Sequence, residues 1–404
     1  MEEKKLSENE RQLPAFFSWW QGGIRYAENI DKNGDTLKLA FEKNALYGDA
    51  VWSQLYPDIK LRPLTCMEIF GNNNPLNLEI GIGNGEFIAK YATRKVNILF
   101  ESSIINETWS CLDPTKRYIV ISDAHIVKKY NAILSKIPNL ITILSLKPGE
   151  PAKSLHVFEK IVEAMQKMKI QRDDILIAFG GGVIGDITSY IACHYLHGMH
   201  YIQMPTTLVA QVDASIGGKT CINLNGKDTI GCIYHPIQIV IDPLLLKTLP
   251  EAEMNYGIAT IIKYGYLKDS TIIDDLKYAS LPFQKELLHS LMERVIKVKL
   301  SITQKDEFFT GMQSIFQFGE TIGHYIEEET HFKVPYGKAL AIGMYYELEN
   351  HPLQNELLPL LEKYQLHADI NKYKGIIQEF KTTHAIVSKM ELHKIGQAKW
   401  IEEK

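Results

Sequence analysis

Ile175-Leu176-Ile177-Ala178-Phe179 is a continuous apolar run that ends in Gly180-Gly181-Gly182-Val183-Ile184-Gly185-Asp186, with an apolar helical pattern after it. A strand buried on both faces reads this way. Glycines at its carboxyl end let a backbone approach a pyrophosphate, while the N–H groups of the next helix face the anion. The same residues also suit a tight strand-to-helix turn without a ligand. Further on, Met204-Pro205-Thr206-Thr207-Leu208 closes a second strand with two hydroxyls. Gln211-Val212-Asp213-Ala214-Ser215-Ile216-Gly217-Gly218-Lys219-Thr220 follows, and then Asn225-Gly226-Lys227. Two glycines beside a lysine place a cation at a sharp backbone turn, where an oxyanion or phosphate could sit. A solvated loop with an incidental lysine has the same composition.

The elements that must position these residues are legible in the same pass. Short β-branched runs predict strands at 118–122, 140–146, 174–179, 201–205 and 238–241, with helical patterns such as 154–168 between them. That alternation predicts a parallel sheet covered by helices. From about residue 248 the spacing turns helical, over 251–267, 282–308, 323–329, 338–349, 355–364 and 373–380. The expected fold class is α/β: a parallel-sheet nucleotide-binding domain at 96–247, followed by an all-α domain at 248–404 with a ligand cleft between them. Residues 1–95, rich in aromatics, Asn and Gly, form an N-terminal extension.

Composition excludes several classes. The 404 residues are 45% hydrophobic and 23% charged, an ordinary globular balance. With 44 basic and 48 acidic residues the net charge is −4, which gives no electrostatic reason for a nucleic-acid or anionic-membrane partner. Cys66, Cys111, Cys193, Cys221 and Cys232 are odd in number and contain no C-x-x-C pair, so neither a disulfide framework nor a zinc ribbon is expected. The start, MEEKKLSENER, has no apolar stretch of the signal-peptide kind. The longest apolar candidate, 175–192, is broken by three glycines and Asp186, so no apolar run reaches the roughly 18–20 residues of a membrane helix. The expectation is a cytoplasmic protein.

The segments GGGVIGDITSYIACHYLHG, IQMPTTLVAQVDASIGGKTCIN, IGCIYHP, IDPLLLKTLP and GIATIIKYG, in this order, resemble dehydroquinate synthase and the wider sugar-phosphate cyclase family over roughly 96–350. The resemblance implies a homodimer that uses NAD as a held redox catalyst: a hydroxyl is oxidised, phosphate is eliminated, the ketone is reduced and a ring closes. On the cofactor side it implies Asp123, Glu150, Lys153, Gly181, Gly182, Val183, Asp186, Thr206, Thr207, Leu208 and Lys227. On the catalytic side it implies Asp213, Lys219, Lys263, Lys299 and His324, acting on a sugar phosphate or related polyol. Lysines and a histidine from separate segments favour an anion-binding cleft, although the same residue types would also persist as buried hydrogen-bond partners.

The chain departs from the family pattern where that pattern holds a divalent metal. The family's glutamate falls on Thr260, its first histidine on Glu320 and its second on Tyr336, so metal use is in doubt. Two family arginines fall on Gln313 and His197, and a family asparagine on Gln317; losing guanidinium groups removes a bidentate phosphate grip. Asp228 adds a carboxylate beside Lys227. A divergent cyclase is therefore expected first. A non-catalytic NAD- or ligand-binding relative is the alternative, and a metal-dependent alcohol dehydrogenase of the related superfamily fits less well. Finally, Gly81-Ile82-Gly83-Asn84-Gly85 with Glu101 is similar to the first motif of tRNA guanine-N7 methyltransferases, read here as an appended segment because no room remains for the rest of such a fold.

Overall fold

The apolar run at 175–179 is buried on both faces, as its composition requires. The computed structural model describes residues 24–30, 36–42, 60–63, 96–100, 109, 112–309, 311–367, 370–383 and 390–400. The chain divides into two compact units, Met1–Lys95 and Val96–Lys404. In the first, β1 (Ile24–Ile30) pairs antiparallel with β2 (Thr36–Glu42) on one side and β3 (Lys60–Pro63) on the other. The methyltransferase-like motif at Gly81–Gly85 and Glu101 lies outside the described residues.

The second unit is built on a six-stranded parallel sheet. Its strands are β4 (Asn97–Phe100), β5 (Tyr118–Asp123), β6 (Leu140–Leu146), β7 (Ile175–Gly180), β8 (His200–Pro205) and β11 (Gln238–Ile241). Their order is β4-β11-β8-β7-β5-β6, so the chain steps from β5 outward to β6 and then returns past β5 to β7. The helices follow that reversal. Tyr130 and Leu134 of α1 (Ala124–Leu134) pack on one face, with Val120 and Ile177. Ile161 of α2 (Leu155–Lys167) and Ile187 of α3 (Gly182–His194) pack on the other, with Ile119, Ile121 and Leu176. A crevice therefore opens at the carboxyl ends of β5 and β7, the usual ligand position in an open parallel sheet. A two-stranded antiparallel hairpin, β9 (Lys219–Ile222) with β10 (Ile230–Ile233), extends beyond the sheet.

The remainder is helical: α4 (Glu251–Lys268), α5 (Ser270–Tyr278), α6 (Lys285–Thr303), α7 (Glu320–Glu329), α8 (Tyr336–Glu347), α9 (Leu353–Lys363) and α10 (Lys374–Thr383), closed by the short pair β12 (Met390–Leu392) and β13 (Ala398–Trp400). The parallel sheet, its covering helices and the helical second half are as the sequence predicts. Not foreseen in this unit were β4, α1, the β9–β10 hairpin, α5 and the β12–β13 pair. The four residues of β4 give a periodicity argument little to grip. Helix α1 starts directly off β5, with the Asp123 carboxylate accepting from the N–H groups of His125 and Ile126. Among the described residues no helix is long and apolar enough to cross a membrane.

Helices α7 and α8 approach at backbone distance. A Cβ at Gly343 would sit 2.0 Å from the Gly319 carbonyl oxygen, and one at Gly323 would sit 3.1 Å from that of Ala339. Gly375, by contrast, has nothing among the described residues within 4 Å of an added Cβ. Gly343→Ala is expected to destabilise the protein by about 1–3 kcal/mol through forced separation of the pair. Gly375→Ala is expected to be neutral or to stabilise by about 0.5–1 kcal/mol. Urea-unfolding midpoints of the two variants test this.

Candidate active site

A cavity of about 1460 Å³ opens at the carboxyl ends of β5, β7 and β8 and runs down to α7 and α8. Its upper wall carries Asp123, Glu150, Lys153, Gly181, Gly182, Val183, Asp186, Thr206 and Thr207. Helix α3 begins at Gly181–Gly182 with no side chain capping its first turn, and both glycines face the cavity. The backbone N–H groups of that turn are thus available to an anion. The buried Thr206 hydroxyl finds no partner among the described residues. An uncapped helix start beside an unsatisfied hydroxyl suits a dinucleotide, with Asp123 at the end of the neighbouring strand.

The lysines of this wall are already engaged. Lys153, only 3% exposed, lies 2.7 Å from Asp186, 2.5 Å from Asp228 and 3.3 Å from Glu150. Burial alone would lower its pKa, but the carboxylates win and raise it well above the usual value. Lys219 reaches the other oxygen of Asp228 at 2.9 Å. Burial would raise the Asp228 carboxyl, yet Lys153 and Lys219 hold it far below the usual carboxylate range. The added charge of Asp228 is therefore spent on two ammonium groups, while its carboxylate also lines the cavity. The glycines just before Lys219 have φ of 108° (Gly217) and 71° (Gly218), a left-handed turn that delivers β9 and its lysine to the cavity.

The lower wall is assembled from separate segments. Asp213 sits on a single π turn, Ala210–Ala214. Lys299 of α6 lies 2.7 Å from its carboxylate, and the Tyr264 hydroxyl donates to it at 2.8 Å. Burial opposes ionisation of Asp213, but Lys299 and Lys263 keep its carboxyl well below the ordinary range. Lys263 of α4 is fully buried; its ammonium donates to Glu320 at 2.5 Å and to the Phe316 carbonyl at 2.9 Å, and lies 3.7 Å from Asp213. The Tyr336 hydroxyl donates to the same Glu320 oxygen at 3.0 Å. Burial, then the nearby Lys227, pushes the His324 imidazole down to about 4, so it is neutral at pH 7. Lys227 is held from α7, its ammonium 2.6 Å from Glu327 and its backbone N–H donating to Glu328 at 2.6 Å. Burial raises the Glu327 carboxyl to about 7 despite that pair.

Fourteen of the sixteen residues named from sequence line this one cavity. The other two do not. Lys263 stands behind Asp213 and Glu320 with no exposed surface, and Leu208 packs into the core, where a Cβ on Gly257 would meet it at 2.4 Å. Glu327 and Glu328 were not anticipated. Their spacing of three and four residues from His324 puts them on the same side of α7, a signal the sequence did contain.

Thr260, Glu320 and Tyr336 do not form a donor set for a divalent ion. The first offers a buried hydroxyl without a partner among the described residues, the third a phenol whose proton burial and Glu320 hold in place, and the second a carboxylate already neutralised by Lys263. Catalytic zinc sites use imidazole, thiolate or carboxylate from three groups. A doubly charged ion about 4 Å from the Lys263 ammonium would also meet a repulsion on the order of 8 kcal/mol at an effective dielectric near 20. Among the described residues, Asp186, Cys221 and Asp228 do cluster as potential ligands. However, Lys153 bridges both carboxylates there, and burial keeps the Cys221 thiol protonated.

Two measurements probe this network. Lys263→Met, which leaves Glu320 buried without its cation, is expected to cost about 3–5 kcal/mol in denaturant unfolding. The double variant Lys263→Met/Glu320→Leu is expected to regain most of that loss. Because His324 binds a proton in the unfolded chain near pH 6.5 but in the folded chain only near 4, its contribution is complete above pH 6.5 and is lost as pH falls toward 4. His324→Gln should flatten the decline of the thermal midpoint across that window.

Comparison with known proteins agrees with this architecture. Residues 143–256 match the 3-dehydroquinate synthase N-terminal family model, and residues 257–394 match the C-terminal one. The 3-dehydroquinate synthase of Alkaliphilus metalliredigens is 39% identical over 240 residues, spanning 58% of this chain and 67% of that protein. The Clostridium beijerinckii enzyme is 34% identical over 272 residues, spanning 64% and 77%. Among solved structures, 2-deoxy-scyllo-inosose synthase with carbaglucose-6-phosphate, NAD+ and Co2+ bound superposes with a TM-score of 0.67 at 24% identity, covering 76% of this chain and 91% of that one. The 2-epi-5-epi-valiolone synthase of Streptomyces hygroscopicus subsp. jinggangensis, with NAD+ and Zn2+ bound, gives 0.65 at 20% identity over 77% and 93%. At these identities the two structures speak to the fold alone. The two matched halves and the relatives of 34–39% identity place the chain in the 3-dehydroquinate synthase family.

Proposed function

We propose that this chain holds NAD and a phosphorylated polyol side by side in the cavity and acts as a divergent sugar-phosphate cyclase. The observation that carries this reading is one continuous cavity with an uncapped helix start and an unsatisfied Thr206 hydroxyl at one end, and Asp213, Lys299 and His324 at the other. When bound, NAD accepts and returns a hydride. Gly181, Gly182 and Val183 would hold its pyrophosphate through backbone N–H groups, Asp123 its ribose hydroxyls, and Thr206 and Thr207 its nicotinamide side.

On the substrate side, Asp213 accepts from hydroxyls while Lys299 keeps it ionised. A neutral imidazole at His324 can take the proton of a hydroxyl as its hydride departs, without first losing a proton of its own. Lys219 and Lys227 supply ammonium donors to the anionic parts of the substrate. No step is routed through a divalent metal, since Thr260, Glu320 and Tyr336 do not fit one. A second reading, a relative that binds these ligands without turnover, is favoured by a specific observation. Lys153, Lys219, Lys227 and Lys299 are all paired with carboxylates, so a phosphate must compete for each. Chain pairing into a homodimer and a cytoplasmic location are part of the same proposal.

Purified protein is expected to retain NAD, or to bind it in calorimetric titration, and to release phosphate from 3-deoxy-arabino-heptulosonate 7-phosphate. Asp123→Asn, which keeps the cap of α1, should weaken NAD about tenfold, equivalent to about 1.4 kcal/mol, at an unchanged thermal midpoint. His324→Gln should lower phosphate release by about 10²–10⁴ without changing NAD affinity. NAD binding without release selects the second reading; neither binding nor release overturns both.

A further inference from the structure

We propose that the corner formed by Thr260, Glu320 and Tyr336 takes up no divalent cation, and that the Lys263 ammonium is its resident positive charge. This rests on the proposed reading of the cavity as the ligand site, and it concerns the corner where the resemblance to the family implies a metal; two solved structures of the same fold contain Co2+ or Zn2+.

Three observations converge. The first is prior pairing. Lys263 directs its donors at Glu320, the Phe316 carbonyl and Asp213, and Glu320 accepts from both Lys263 and Tyr336 on one oxygen. Glu320 also lines the cavity, but a cation drawn to its other oxygen would meet an ammonium on the same carboxylate, one with no route to water because Lys263 has no exposed surface. The second is charge. Lys263 and Lys299 pair with Asp213 and Glu320 one for one, and burial pushes the neighbouring Glu347 carboxyl up to about 8, so the cluster is already balanced at neutral pH without a divalent ion.

The third observation is space. Tyr336 is the first residue of α8, and its neighbour Gly337 lies so close to α4 that an added Cβ would come 2.3 Å from the Tyr256 side chain. That contact fixes the start of α8. The Tyr336 ring lies beneath the Lys227 ammonium, 5.1 Å from its centroid, with the His324 ring 6.4 Å away. With its backbone held at Gly337 and its ring close to both Lys227 and His324, Tyr336 places a phenol, rather than a ligand imidazole, beside Glu320. A phenol and an ammonium thus hold the volume and the charge together. A rebuilt site using Glu320 with either nearby histidine, His324 or His331, could be imagined. His324, however, lies beside Lys227, a second ammonium that disfavours a cation.

The test uses the full-length protein. After dialysis against excess ZnCl2 or CoCl2 and removal of free ion, elemental analysis is expected to find far less than one metal per chain. Addition of Zn2+, Co2+ or Mg2+ should leave the thermal midpoint unmoved, whereas an occupied native-state site raises it. One metal per chain that Glu320→Ala removes, with a visible cobalt absorption band lost in the same variant, would overturn the proposal. Metal that Glu320→Ala retains lies elsewhere and leaves the proposal standing. The variant Thr260→Glu/Lys263→Met/Tyr336→His supplies two carboxylates and an imidazole and removes the ammonium; it should gain one cobalt and the band that the natural chain lacks. NAD titration in parallel reads the cofactor proposal separately. Metal-free protein that binds NAD supports both, while metal-free protein that does not bind it defeats only the reading of the cavity.

Discussion

A lysine ammonium with no exposed surface must be paired, and Lys263 meets that requirement by tying three segments of chain together. It leaves α4, contacts Asp213 on the π turn, and ends on Glu320 at the start of α7. Breaking such a pair strands a charge in a low dielectric, which is why the arrangement fixes geometry even where it adds little net stability. Asp213 inherits its orientation from this network, with Tyr264 and Lys299 completing its shell. The lower half of the cavity is in this sense one electrostatic unit.

The upper half depends on topology. The return of the chain past β5 to β7 sends α1 and α3 to opposite faces and leaves a gap between the strand ends. Into that gap project an uncapped helix start and a carboxylate that already caps its own helix. The hairpin β9–β10 then brings Lys219 and the following loop over the gap, where Asp228 links Lys219 to Lys153. Lys153, Lys219, Lys227 and Lys299 are each matched by a carboxylate, so the site is organised in advance but is less electropositive than its lysine count suggests. Rigid pairing of this kind favours orientation over raw attraction for an anion.

What the sequence could determine by itself was set by local and periodic features. The doubly apolar run at 175–179 required a central strand, the glycines after it a phosphate-type turn, and the shift in spacing near 248 a helical second half. The order of motifs then gave the family, and the replacement of three residues at 260, 320 and 336 placed the metal in doubt. Only the tertiary structure decided what those replacements do. Lys263, expected at the cavity wall, lies behind it, and Leu208 lies in the core, because α4 packs flush against the segment that follows β8. Asp228 proved to be a clamp between two lysines as well as a carboxylate on the cavity wall. Glu327 emerged as the anchor of Lys227 across 100 residues of chain. The physical reason is the same in each case: periodicity records which side of an element is buried, but the partner of a buried charge is chosen by segments distant in sequence.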